Sequence, residues 1–163
     1  MQGKFYEGCI EGHGKILLVG GGFFEGEFKR GVVNGPGIFK ITKGEVYKVS
    51  GYFQQTNGEL ELIGNGVLEI SGENGYHYSG GLKNTFVMHG QGVQNFASGA
   101  KYEGQFINGL FHGHGSFTLK EGDTCEGEWE NDMLKGVGKG VKNDQKVSGI
   151  MDKPASFTFI TDR

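Results

Sequence analysis

The residues in this sequence with the chemistry to bind or react are few, and they recur in a fixed frame. His112-Gly113-His114 places two imidazoles at i and i+2, on one strand face if the strand is regular. Such a pair can contribute to a metal site, but a structural zinc centre takes about four ligands and no cysteine pair completes one. Glu25, Glu27, Glu103, Glu126 and Glu128 form an acidic ladder. General acid–base catalysis needs a carboxylate pair in a cleft with separated pKa values. A glutamate repeated on a solvated face instead serves solubility and cross-strand pairing, and calcium would need a loop of EF-hand type. Gly-x-Gly elements begin at Gly12, Gly35, Gly64, Gly90, Gly113 and Gly136. A phosphate cradle needs a strand, a glycine-rich turn and a helix N-terminus, and no helical pattern follows any of them. Cys9 and Cys125 lack the basic neighbour that activates a thiol. No catalytic residue, metal ligand or cofactor is therefore expected.

Lys135, Lys139, Lys142 and Lys146 form a modest basic cluster, interrupted by Glu130, Asp132 and Asp144. It reads first as a solvated edge and second as a contact for lipid head groups or an acidic partner. The net charge of −3 and pI of about 5.9 argue against nucleic acid, which calls for a basic field. No apolar run approaches the roughly 20 residues that span a bilayer, and Met1-Gln2-Gly3-Lys4-Phe5 leads directly into patterned sequence without a secretory h-region. Two isolated cysteines make no disulfide framework. The expected setting is cytoplasmic.

The elements that would hold these residues are set by glycine. The 33 glycines are about one residue in five, against a usual share of roughly 7%; only Pro36 and Pro154 are proline. High glycine with 12% aromatic residues points to a regular sheet with many turns. Self-similarity is evident. Phe24-Glu25-Gly26-Glu27-Phe28 precedes Gly35-Pro36-Gly37; Tyr102-Glu103-Gly104-Gln105-Phe106 precedes Gly113-His114-Gly115; Cys125-Glu126-Gly127-Glu128-Trp129 precedes Gly136-Val137-Gly138. Weaker copies start at Tyr6, Val49 and Tyr78, and a half unit starts at Val147. Successive Gly-x-Gly elements follow after 23, 29, 26, 23 and 23 residues. Units are placed near 5–22, 23–44, 45–75, 76–99, 100–122 and 123–144, with a partial unit at 145–163, as one array over 1–163.

Each unit reads as two strands. Strand side chains alternate faces, so the apolar-Gly-apolar positions share one: Tyr6, Ile10, Phe24, Phe28, Val49, Phe53, Tyr78, Leu82, Tyr102, Phe106, Trp129, Val147 and Met151. The glutamates take the other. Both glycines of each Gly-x-Gly are expected on one side, making room for aromatic rings from neighbouring strands. Asn108-Gly109 is expected to turn within a unit, and Asn74-Gly75, Ser98-Gly99 and Glu121-Gly122 between units. The fold class is all-β without significant helix: an elongated, twisted, rod-like single-layer antiparallel sheet of tandem hairpins. About twelve to fourteen strands would extend on the order of 60 Å.

The stretch Tyr102-Glu103-Gly104-Gln105-Phe106-Ile107-Asn108-Gly109-Leu110-Phe111-His112-Gly113-His114-Gly115 closely resembles the MORN repeat (membrane occupation and recognition nexus). That consensus reads Tyr-Glu-Gly-Glu-Trp, a few residues including Gly, then His-Gly-x-Gly. The units at Phe24 and Cys125 match well, that at Tyr78 fairly, and those at Tyr6 and Val49 loosely, so the resemblance covers nearly the whole chain. It implies a sheet of hairpins that mediates protein contacts in cytoskeletal, ciliary or membrane-associated assemblies, with self-association common and phospholipid contact in some members. It transfers no catalytic residue.

The expected function is a non-catalytic scaffolding module. Tyr78, Leu82, Tyr102, Phe106 and Trp129 line a groove for a partner helix or extended peptide. The alternative is a peripheral phospholipid-binding module, favoured only if the lysine cluster and exposed aromatics share a face. Ala155-Ser156-Phe157-Thr158-Phe159-Ile160-Thr161 alternates as a terminal strand, making Phe157 and Phe159 candidates for homo-oligomer contacts.

Overall fold

The computed structural model describes residues 2–43, 45–71, 75–84, 86–153 and 156–160. Asn74 of one expected turn, and Ala155 and Thr161 of the expected last strand, lie outside them. All regular structure among the described residues is β-strand, and the chain divides into two compact units, residues 1–87 and 88–163. The first contains β1 (Gln2–Tyr6), β2 (Cys9–Leu17), β3 (Phe23–Lys29), β4 (Val32–Lys43), β5 (Glu45–Thr56), β6 (Glu59–Ser71) and β7 (Tyr76–Lys83), each antiparallel to the next. The second is built on β8 (Val87–Phe96), β9 (Lys101–Ile107), β10 (Leu110–Thr118), β11 (Thr124–Glu130), β12 (Met133–Leu134), β13 (Gly138–Lys142), β14 (Gln145–Lys153) and β15 (Ser156–Ile160). Here too neighbours in sequence pair antiparallel, with β12 and β13 both meeting β11.

Paired glycines organise both units. Gly3, Gly14, Gly26, Gly37 and Gly51 are cross-strand partners in succession. Gly92, Gly104, Gly115 and Gly127 are the same in the second unit. The space above them is taken. A Cβ on Gly104 would lie 2.6 Å from the Gly115 Cα and 2.7 Å from the Tyr102 hydroxyl; one on Gly26 would lie 2.8 Å from Phe24 Cζ. At these two pairs the covering ring comes from two residues earlier on the same strand and reaches across to the neighbour's glycine, while Ile10 covers Gly14, Leu62 covers Gly51 and Leu134 covers Gly127.

Only the second glycine of a Gly-x-Gly belongs to this row. Gly113 has φ +59°, and the β9–β10 register shifts between His112 and Gly115. The element is therefore a β-bulge, and the expectation that both glycines share a regular strand face does not hold. The first unit also differs from its reading. Glu7 and Gly8 have φ +50° and +79° and form the tip of the β1–β2 hairpin, with Tyr6 opposite Cys9. Such a tip turns the chain through 180°, so Tyr6 ends 69% exposed while Ile10 is 2% exposed. Gly3 supplies the row glycine of this hairpin.

Hairpin tips latch onto the preceding hairpin. The amides of Gly31, Gly109 and Asp132 donate to the carbonyls of Ile10, Met88 and Phe111 at 3.0, 2.8 and 3.2 Å. Each donor follows its acceptor by 21 residues. Asp132 also accepts from the Phe111 amide at 2.7 Å, and Glu11 accepts from the Arg30 amide at 2.7 Å.

Gly104→Ala is expected to lower stability by about 1–3 kcal/mol, because the added methyl overpacks against backbone and the Tyr102 phenol. Thermal or urea denaturation measures this, and a loss under about 0.5 kcal/mol would mean that the ring yields freely.

Candidate interaction surfaces

One face of each unit carries the rings. Tyr102 stacks on Phe111 with centroids 3.8 Å apart and planes 10° from parallel, and meets Phe106 and Trp129 edge-on at 5.2 and 5.3 Å. Its hydroxyl donates to the carbonyls of Gln105 and His112 at 3.2 and 3.4 Å, tying the ring to the bulge. Tyr78 repeats the geometry, donating to the Gly81 carbonyl at 2.8 Å. Trp129 Nε1 donates to the Gly115 carbonyl at 3.0 Å. Burial pushes the Tyr78 phenol up to about 12 and raises that of Tyr102 as well.

Of the five residues expected to line a groove, Tyr78, Tyr102, Phe106 and Trp129 are buried, and Leu82 is half-buried. These four rings are core of their own units. The half-buried rings are different ones. In the first unit Phe86 packs on Phe39 at 5.3 Å and edge-on against Tyr47 at 6.1 Å, and all three remain half-buried. In the second unit Phe157 packs on Phe117 and Trp129 at 5.3 and 6.0 Å, and Phe159 lies 5.3 Å below the Lys142 ammonium. Both candidate self-association residues thus sit half-buried beside that core. Phe39 follows the row glycine Gly37 by two residues on β4 and so falls on the same face by alternation; Phe86 lies past the end of β7, where alternation carries no signal.

The opposite face carries the charges. His114 sits between two carboxylates of the next strand, Nε2 2.9 Å from Glu126 and Nδ1 3.3 Å from Glu128. His13 lies 3.7 and 3.4 Å from Glu25 and Glu27 in the same arrangement. The repetition follows from Gly-His-Gly preceding Glu-Gly-Glu, a pairing that the frame contains but that reading each residue alone misses. The carboxylates raise the pKa of His114, and the Lys15 ammonium at 2.9 Å lowers that of Glu25. His112 is separated from this cluster by the bulge and keeps Nδ1 buried without a partner. Among the described residues, no group of three or more His, Cys, Asp or Glu could hold a metal.

The lysine cluster does not gather into one patch. Lys135 pairs with Glu130 at 3.4 Å, Lys142 stands over Phe159, and Lys139 and Lys146 line a depression of about 480 Å3 on the charged face. Cys9 is exposed, and Cys125 is buried with its thiol pushed up by desolvation. Among the described residues no helix is long and apolar enough to cross a membrane.

Tandem antiparallel hairpins keyed by paired glycines under aromatic rings define an all-β repeat protein. Residues 24–46, 87–101, 102–124 and 125–139 match the MORN repeat model, and the chain is a MORN-repeat protein. It is also 34% identical over 121 residues to Alsin from Rattus norvegicus, across 71% of this chain. To Alsin from Homo sapiens it is 33% identical over 142 residues, across 84% of this chain. The chain spans 7% of the length of these relatives. As a family the MORN repeat is a non-catalytic module, and the matches fit an interaction or membrane-associated role in general terms.

Tyr102→Phe is expected to cost about 1 kcal/mol, since a buried bulge carbonyl loses its donor; equilibrium denaturation measures it. The raised Tyr78 phenol stabilises the fold fully below the unfolded value of about 10, and that contribution is lost as pH rises through about 12. Alkaline unfolding should therefore become less steep in Tyr78→Phe. For His114, proton NMR should give a titration midpoint above the ordinary histidine range, falling back in Glu126→Gln/Glu128→Gln.

Proposed function

We propose that the chain is a protein-binding scaffold module whose ring-bearing face receives an apolar helix or extended peptide of a partner, in a cytoplasmic assembly associated with the cytoskeleton or a membrane. The observation that carries this reading is the group of Phe39, Tyr47 and Phe86, in which Phe86 packs on both other rings and all three are left half-buried. Clustered, preorganised aromatics are effective anchors because they order little on binding and release much apolar surface from water. Leu82 on β7 is half-buried too and extends the apolar character of the same unit.

The lipid reading depends on lysines and exposed aromatics acting together. Here Lys139 and Lys146 lie with Ser116 and Glu126, on the face opposite the rings, while Lys142 is alone above Phe159. That separation favours a protein partner over a membrane surface.

Tyr47→Ser/Phe86→Ser, compared with the unaltered chain as bait in pull-downs with mass spectrometry, tests the proposal. Loss of one specific partner at an unchanged melting temperature is the expected result. An unchanged set of captured proteins from the folded variant, or capture by anionic vesicles alone, would overturn it.

A further inference from the structure

On the charged face of the second unit, the cross-strand rows place Ser116, Glu126, Lys139 and Ser148 side by side on β10, β11, β13 and β14. Thr124, Val141 and Lys146 form the adjacent row. Together these residues line the depression of about 480 Å3. Lys139 and Lys146 are diagonal neighbours on adjoining strands, a relation that sets Cα atoms roughly 7–8 Å apart. Two flexible ammonium groups at that spacing can converge on one anion.

Their isolation is the informative point. Lys15, Lys48, Lys101 and Lys135 each contact a glutamate, at 2.9, 2.8, 3.0 and 3.4 Å. Among the described residues, Lys139 and Lys146 have no such carboxylate. Glu126, the acid nearest Lys139 in register, is bonded to His114 instead. Two neighbouring ammonium groups with no carboxylate bonded to either, in one depression, have the charge to receive an anion.

We infer that this depression binds a phosphorylated side chain of a protein partner. The inference rests on the protein-binding reading above and adds a second contact to it. A phosphomonoester carries about −1.5 to −2 charges and three acceptor oxygens. Two ammonium groups match that charge, and the hydroxyls of Ser116, Thr124 and Ser148 supply more donors than a single carboxylate uses. A protein segment fits better than a membrane because the neighbouring strand presents Glu126, Glu128 and Glu130. A flat anionic surface would meet all three at the same time as the lysines, whereas one side chain in the depression meets only Glu126, whose carboxylate His114 already holds.

The test is an amide NMR titration of the full chain with inorganic phosphate and with N-acetyl-phosphoserine amide, at ionic strength held constant with chloride. The expected result is saturable shifts at residues 139–141 and 146–148, with affinity about tenfold weaker in Lys139→Gln/Lys146→Gln at an unchanged melting temperature. Absence of saturable shifts overturns the inference, as does the same response to chloride alone. Lysine-dependent binding to phosphatidylserine vesicles that phosphoserine does not compete away also overturns it, in favour of a lipid. The titration contains no partner protein, so it can fail or succeed independently of the pull-down.

Discussion

The contact between an aromatic ring and a pair of facing glycines is what the rest of the fold depends on. A single sheet has no second layer to cover its apolar side, so each unit must bury that side with its own residues. Removing the Cβ from Gly104 and Gly115 opens a trough in which the Tyr102 phenol lies against backbone. The ring then becomes the floor on which Phe106, Phe111 and Trp129 pack. Each such burial is worth about 1.5–3 kcal/mol, with edge-on and stacked geometry adding about 0.5–1.5 kcal/mol per pair. Glycine in a strand ordinarily costs stability; here it is the condition for a core.

The same constraint explains the departures from the repeat. In the unit of Phe24 the position after the tip, facing Phe28, is Val33; in that of Tyr102 the equivalent position is Phe111, which stacks on the Tyr102 ring. Where the first position is small, a leucine after the tip does the covering. Leu62 reaches over Gly66, with Val49 at the first position, and Leu134 reaches over Gly127, with Cys125 there. Cys125 is also accompanied by Trp129, the one tryptophan, whose indole bonds to the Gly115 carbonyl. The residue that covers the glycine row therefore comes from different positions in different units, as close-packed cores allow.

This is why the fold was legible and its details were not. Period-two alternation and recurring Gly-x-Gly identify hairpins and the buried stripe, because face and turn are local consequences of the chain. Which glycine joins the row depends on a bulge, and a bulge is a relation between two strands. The Tyr6-Glu7-Gly8-Cys9-Ile10 segment has the right residue types for a first strand, yet Glu7-Gly8 serves as a hairpin tip. The 21-residue latches are likewise invisible in composition, since most of their atoms are backbone. For the surfaces, sequence placed rings on one side and glutamates on the other. It could not rank exposure among the rings, because Tyr102 and Trp129 look like anchors by residue type and are instead fully used in packing.

Burial and availability are therefore opposed along the ring-bearing face. The residues that match the repeat best are the ones most completely enclosed, because the frame selects side chains that fill the trough. The rings left half-buried include ones outside the frame, such as Phe86 beyond the end of β7, and ones at the flank of a core, such as Phe157. The charged face follows a parallel logic. Paired carboxylates and basic groups satisfy one another wherever Glu-Gly-Glu meets a histidine or lysine on the next strand. Lys139 and Lys146 arise where that pattern ends, on strands that lack the Glu-Gly-Glu segment. In a repeat protein the frame builds the fold, and the positions that escape it are free to differ between arrays. On the reading proposed above, Tyr47, Phe86, Lys139 and Lys146 are positions of that kind.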